Sequence, residues 1–80
     1  MRGLKDKVSI APSETEQLGF LSAERKYRRR QPDARRDLEA YLERYPQGSD
    51  RHKAELYLAD LDYQAGNADA AYNRYSRLVN

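Results

Sequence analysis

The feature that most constrains the fold of this chain is an internal duplication. Residues 18–27, LGFLSAERKY, align with residues 54–63, AELYLADLDY, at an offset of 36 positions. Beyond the turn that follows each segment the offset is 37, so that Ala34 aligns with Ala71 and Leu38 with Tyr75. A period of this length is typical of helical repeats, in which each unit packs on its neighbours. The chain is therefore predicted to be two copies of one unit.

Each unit has the pattern of a pair of helices. Apolar residues recur every three or four positions, and β-branched residues are few. The predicted helices span residues 14–30, 32–45, 51–65 and 68–79. Ser13 and Glu16 form a capping-box pattern at the first start, Pro32 suits the first position of the second helix, and Gly66 can supply the left-handed residue after the third.

These elements predict an all-α fold of two tandem antiparallel helical hairpins, because connections of two to five residues make neighbouring helices antiparallel. Residues 1–12 are predicted to form an N-terminal arm, residues 13–48 the first repeat and residues 49–80 the second. Two repeats leave an apolar end surface, and about three are usually needed for stability. We therefore expect a longer array, or self-association through the last helix at Tyr72, Tyr75, Leu78 and Val79.

Several positions of the two units resemble the tetratricopeptide-repeat family over residues 18–80. The matching residues are Ala34, Leu38 and Tyr45-Pro46 in the first unit, and Leu58-Ala59, Gly66-Asn67, Ala71 and Tyr75 in the second. The segments YLERYPQGS (41–49) and AELYLADLDYQAGN (54–67) especially resemble a longer-period subgroup. That subgroup includes bacterial outer-membrane-assembly lipoproteins and the periplasmic partner of the Tol–Pal system. The resemblance implies an α-α superhelix that binds proteins, and a cell-envelope location, although the sequence alone leaves the cytoplasm open. Asp62, Leu78 and Arg30-Gln31 depart from the family pattern.

The resemblance also implies which residues meet a partner. In this family the first helix of each hairpin lines a concave groove that holds a peptide or a partner helix. The family's contact positions correspond here to Gln17, Phe20, Glu24, Tyr27 and Arg28 in the first unit, and to Lys53, Leu56, Asp60, Tyr63 and Gln64 in the second. Tyr27 and Tyr63 are the predicted aromatic anchors, and ordinary packing residues are the competing interpretation of both.

A basic cluster offers an alternative function. Residues 25–36 contain seven Lys or Arg against Asp33 alone, in a chain with a net charge of +2. Such a cluster can grip phosphates or an acidic surface. It is also the usual composition of a solvated helix end, where cations suit the helix dipole and pair with acidic residues one turn away. We favour the second interpretation, because no helix-turn-helix or other reading element accompanies the cluster.

The sequence argues against catalysis and against a bound cofactor or metal. There is no Cys, His52 is the single histidine, and the four glycines are scattered and form no phosphate-binding loop. Asp60 and Asp62 fall on different faces of their helix and so make no carboxylate pair. No apolar run approaches the ~20 residues of a membrane span. The predicted function is therefore protein–protein interaction, with partners that the sequence does not name.

Overall fold

A computed structural model describes residues 12–79 of the 80-residue chain. The predicted arm, apart from Pro12, and Asn80 lie outside the described residues. Between these limits the chain forms four α-helices and no strand: α1 (Pro12–Arg28), α2 (Ala34–Arg44), α3 (Arg51–Gln64) and α4 (Ala68–Val79). The all-α prediction is confirmed, and the bounds of α4 are the predicted ones.

The bounds of the first two helices differ from the prediction. α1 begins at Pro12, so Ser13 lies inside the helix and is not its N-cap. It ends at Arg28 because Arg30 takes a left-handed backbone conformation with φ 59°. Pro32 and Asp33 form a turn, and α2 begins only at Ala34. Asp33, at the N-cap position of α2, makes no side-chain cap hydrogen bond.

α1 and α3 end in the same hydrogen-bonded turn. After α1, the Arg30 N–H donates to the Tyr27 carbonyl and the Gln31 N–H to the Lys26 carbonyl, each at 3.0 Å. After α3, Gly66 and Asn67 repeat the two bonds at 3.0 and 2.8 Å, exactly one repeat later in the alignment. This pattern satisfies carbonyls that a helix end leaves unpaired. The predicted left-handed Gly66 is confirmed at φ 87°.

The core lies where α1, α2 and α3 meet. α1 packs on α2, α2 on α3 and α3 on α4, and α1 also contacts α3 directly. The central buried residues are Phe20, Ala23, Leu38, Tyr41, Ala54 and Leu58. Ala34, Ala59 and Ala71 are buried as well, which fits the need for small side chains where helices approach closely.

Asp62 is a buried charged residue that connects three helices. Its Oδ1 accepts from Arg35 Nη2 of α2 at 2.6 Å, and its Oδ2 accepts from Arg74 Nε of α4 at 2.9 Å. Arg74 also donates to Glu55 at 2.8 Å. Burial alone would raise the pKa of Asp62, but the hydrogen bonds from the two arginines outweigh it and lower the pKa. Asp62 is thus the centre of an ion-pair network that joins α2, α3 and α4.

Candidate functional site

Two tyrosine–carboxylate pairs join α1 to α3. The Tyr27 hydroxyl of α1 donates to Asp60 Oδ2 of α3 at 2.5 Å, and the Tyr57 hydroxyl of α3 donates to Glu24 Oε2 of α1. Each pair spans 33 residues of sequence. The Tyr27 and Tyr57 rings stack between the pairs with their centroids 4.2 Å apart. The two helices therefore form one continuous wall whose acidic groups are already hydrogen-bonded.

The electrostatics of this wall follow from these contacts. Burial, reinforced by the bond to Asp60, raises the pKa of Tyr27 to about 12. Burial and the bond to Glu24 raise the pKa of Tyr57 as well. In turn, the hydrogen bond from Tyr57 lowers the pKa of Glu24 against the opposing effect of burial, with help from Arg28. These shifts keep Glu24 ionised and the Tyr27 and Tyr57 phenols protonated at neutral pH.

The residues predicted to contact a partner divide into three groups by exposure. Phe20 is buried against Tyr41 and Tyr57, so it supports the wall from beneath. Glu24, Tyr27 and Asp60 are half-buried in the pairs just described. The exposed residues are Gln17, Arg28, Lys53, Leu56, Tyr63 and Gln64. Within this last group, Arg28 bonds to Glu24 and Gln64 to Asp60, which leaves Gln17, Lys53, Leu56 and Tyr63 open to a partner.

A third cluster of hydrogen bonds between residues far apart in the sequence lies at the other end of the wall. Glu16 Oε2 accepts from the Tyr41 hydroxyl at 2.9 Å and from the Ser49 backbone N–H at 2.8 Å. Gly48 lies against this cluster so closely that an added Cβ would be 2.5 Å from Glu16 Oε2. The capping-box prediction gave Glu16 a local role, but its carboxylate instead bonds to α2 and to the turn before α3. The sequence reasoning did not predict these contacts of Glu16, nor the contacts that Tyr57 and Asp62 make with other helices.

A cleft of about 430 Å³ lies beside the ends of α1 and α3. It is lined by Tyr27, Arg28, Arg30, Gln31, Pro32, Ala34, Arg35, Asp60, Leu61, Gln64 and Ala65. Arg35 and Asp60 are already engaged, with Asp62 and Tyr27 respectively. The cleft therefore extends the wall as a surface of mixed polar and apolar side chains.

The basic cluster is mostly paired. Lys26 bonds to Asp33 and Asp37 at 2.8 and 2.7 Å. Arg28 pairs with Glu24, Arg35 with Asp62 and Glu39, and Arg36 with Asp33 and Asp37. Within residues 12–79 no ion pair is found for the other three members, Arg25, Arg29 and Arg30. The Arg28–Glu24, Arg35–Glu39 and Arg36–Asp33 pairs lie within one helical turn, as the interpretation as a solvated helix end predicts. Lys26 and Arg35 also pair with carboxylates of other elements, Lys26 with Asp37 and Arg35 with Asp62.

The residues predicted for self-association lie on α4. Tyr72 and Tyr75 are exposed and Leu78 is half-buried, whereas the side chain of Val79 lies outside the described part of the structure.

Among the residues that the structure describes, no group of three potential metal ligands is found. None of the four helices is long and apolar enough to cross a bilayer.

Comparisons of the chain with protein families, with curated proteins and with solved structures give no match. The tetratricopeptide resemblance therefore depends on the motifs of this sequence alone.

Proposed function

We propose that this chain is a tetratricopeptide-type module of two tandem helical hairpins, which binds a peptide or a partner helix on the α1–α3 wall. The observation that carries the proposal is the pair of reciprocal tyrosine–carboxylate bonds, Tyr27 to Asp60 and Tyr57 to Glu24. They fix two helices side by side and leave a row of exposed polar and apolar side chains along them. A rigid surface of this kind loses little conformational entropy when a partner binds.

The spacing of contacts supports the tandem arrangement. Glu16 bonds Ser49, Glu24 bonds Tyr57 and Tyr27 bonds Asp60, each across 33 residues. A constant offset is expected when two helices run parallel in register. Between α1 and α2 the numbering runs oppositely: Glu16 bonds Tyr41, whereas Lys26 bonds Asp33. Parallel first helices and an antiparallel second helix are the arrangement of stacked hairpins.

The chemistry of the wall favours a partner with an apolar side chain next to an acidic one. Leu56 and Tyr63 are exposed and can hold an apolar group. Glu24 and Asp60 already accept tyrosine hydroxyls, whereas Lys53 forms no ion pair with any described residue. Lys53 can therefore receive a carboxylate, whereas Arg28 is already paired with Glu24. Gln17 is exposed and can supply amide hydrogen bonds at one end, whereas the Gln64 side chain donates to Asp60 at 2.7 Å.

Selection from a displayed library of random 12-residue peptides, followed by amide chemical-shift mapping of the isolated 80-residue chain, tests the proposal. We expect selected peptides to carry apolar and acidic residues and to perturb Lys53, Leu56 and Tyr63. Tyr63→Ala should weaken binding at least tenfold, whereas Tyr72→Ala should not. These tyrosines are a matched pair, 67% and 70% exposed, on different helices. Failure to select any binder, or peptides that map away from α1 and α3, would overturn the proposal.

Nucleic-acid or acidic-surface binding is the alternative, favoured by Arg25, Arg29 and Arg30, which have no acidic partner among the described residues. The pairing of the other four cations leaves little free charge for phosphates. Titration of a single-stranded and a double-stranded oligonucleotide at low ionic strength decides between the two. The alternative requires binding that weakens steeply with salt and is lost when Arg29 and Arg30 are changed to Ala.

A further inference from the structure

The exposed large apolar residues of the described chain lie on α1, α3 and α4. They are Leu18 and Leu21 on α1, Leu56 and Tyr63 on α3, and Tyr72 and Tyr75 on α4. Single exposed apolar residues are normal on any surface. These six are unusual because the repeat alignment places each of them at a position that, in the other unit, takes part in the contact between the two units.

In the second unit, several apolar residues are exposed whose equivalents in the first unit are buried. Phe20 is 2% exposed and Leu38 is fully buried, because the second unit packs over them. Their equivalents, Leu56 and Tyr75, are 45% and 39% exposed. Tyr63 is likewise exposed, whereas its equivalent, Tyr27, stacks on Tyr57 and bonds Asp60. We call Leu56, Tyr63, Tyr72 and Tyr75 the trailing face.

The first unit has the complementary uncovered face. Ala54 and Tyr57 are the residues with which α3 packs on the first unit: Ala54 is fully buried, and Tyr57 stacks on Phe20 and Tyr27. The residues of α1 at the equivalent positions, Leu18 and Leu21, are exposed. We call Leu18 and Leu21 the leading face. The chain therefore carries both halves of its own internal interface, each without a partner in the described structure.

We propose that the trailing face of one copy binds the leading face of a second copy, so that the chain assembles head to tail. The internal interface provides the template for each contact. Phe20 stacks on Tyr57 within the chain, so Leu56 meets Leu21 of the second copy. Tyr27 bonds Asp60 and stacks on Tyr57, so Tyr63 meets Glu24 and Leu21 of the second copy.

Charge and continuity support a second copy as the occupant. Leu21 lies among Arg25, Arg28 and Arg29 together with Glu24, and Glu14 lies beside Leu18 and Leu21, whereas residues 47–80 carry four Lys or Arg against five Asp or Glu. The surroundings of the leading face are thus slightly basic and the second unit is slightly acidic. The new contact also continues the α1–α3 wall without a change of register. Because the two faces differ, the interface is heterologous, and it propagates instead of closing as a two-fold dimer.

This proposal rests on the tandem arrangement proposed above, but its test needs no peptide. Two variants each remove one face: Leu21→Asp on the leading face and Leu56→Asp on the trailing face. Both residues are exposed, so circular dichroism should show unchanged helix content. Leu18→Asp and Tyr63→Asp provide a second pair should either variant lose its fold.

Sedimentation velocity over a concentration series gives the result. We expect the mass of the wild-type assembly to rise with concentration beyond that of a dimer, and each variant alone to be a monomer. An equimolar mixture of the two variants should form a 1:1 dimer, because each supplies the face that the other lacks. A wild-type chain that is monomeric at millimolar concentration would overturn the proposal. So would Leu21→Asp dimerising on its own, since that requires the trailing face to bind itself. Peptide binding at micromolar concentration, measured separately, remains a test of the proposed function alone.

Discussion

Arg30 and Gly66 occupy the same place in the two units and take the same left-handed backbone conformation, with φ 59° and 87°. Each follows a helix whose last turn it closes with the same pair of backbone hydrogen bonds. Glycine adopts this conformation without strain, whereas a residue with a Cβ pays about 1–2 kcal/mol. The first unit thus keeps the turn geometry of the repeat while lacking the residue that favours it.

Replacing Arg30 with Gly should therefore stabilise the chain. We expect a gain of about 0.5–1 kcal/mol, because relief of the left-handed strain exceeds the added entropy of glycine in the unfolded state. Gly66→Ala is the matched reverse change: nothing lies within 4 Å of the added Cβ, so only the backbone conformation opposes it. It should cost about 1 kcal/mol. Urea denaturation followed by circular dichroism measures both, and equal effects of the same sign would contradict the account.

Gly48→Ala should destabilise the chain by a different mechanism. The added Cβ would lie 2.5 Å from Glu16 Oε2 and 2.6 Å from the Tyr41 hydroxyl. These groups must separate, which breaks the cluster that holds α1, α2 and the turn before α3 together. We expect a loss of about 1–3 kcal/mol in urea denaturation.

Gly19→Ala is the control for this change. Gly19 lies in α1 with nothing within 4 Å of an added Cβ, so helix propensity alone acts there. It should raise stability by about 1 kcal/mol. A neutral Gly48→Ala variant would show that the Glu16–Tyr41 cluster contributes little to the fold.

Among substitutions that remove one charged side chain of the described residues, Asp62→Ala should lower the free energy of unfolding the most. It removes the carboxylate that accepts from both Arg35 and Arg74 and leaves the half-buried Arg74 with Glu55 alone. Breaking one member of a buried ion pair costs about 3–5 kcal/mol, a large part of the stability of a domain this small. Asp69→Ala, at the exposed start of α4, is the control and should change stability by less than about 1 kcal/mol. Equal denaturation midpoints for the two variants would contradict a central role for Asp62.

Stability should fall at acid pH in a way that depends on Asp62. Its pKa is lowered in the folded chain, so the unfolded chain takes up a proton first as the pH falls. The stabilisation is therefore complete above the ordinary value of 3.8 and is lost as the pH falls through the folded pKa. Urea midpoints measured from pH 7 to pH 2 should decline steeply below about pH 4. Asp62→Asn should show a shallower decline, and an unchanged slope would contradict the assignment.

The fold class could be predicted from the sequence because apolar periodicity and turn residues act locally. The start of α4 at Ala68 and the left-handed Gly66 were both predicted correctly for this reason. The polar contacts could not be predicted in the same way. Glu16 fits a local capping box, but packing brings Tyr41 and Ser49 to its carboxylate from 25 and 33 residues away.

Asp62 shows the same limit for the core. The resemblance puts Asp62 where the tetratricopeptide family usually has a large aromatic residue, which predicts a core position that neighbours fill or that is left open. Arg35 and Arg74 approach it only once α2 and α4 have packed on either side. The exposure of each tyrosine could not be predicted from the sequence either, because Tyr27 and Tyr63 are at equivalent positions and differ only in what packs over them.

The central claim is that the second unit covers the first and leaves its own equivalent face open, and aromatic NOE spectroscopy tests it most directly. In a dilute sample we predict strong cross-peaks between the rings of Tyr27 and Tyr57, which stack at 4.2 Å. We predict none between Tyr63 and any other aromatic ring of residues 12–79. Absence of the Tyr27–Tyr57 cross-peaks, or the presence of Tyr63 contacts with core rings such as Phe20, would contradict the stacked-repeat account.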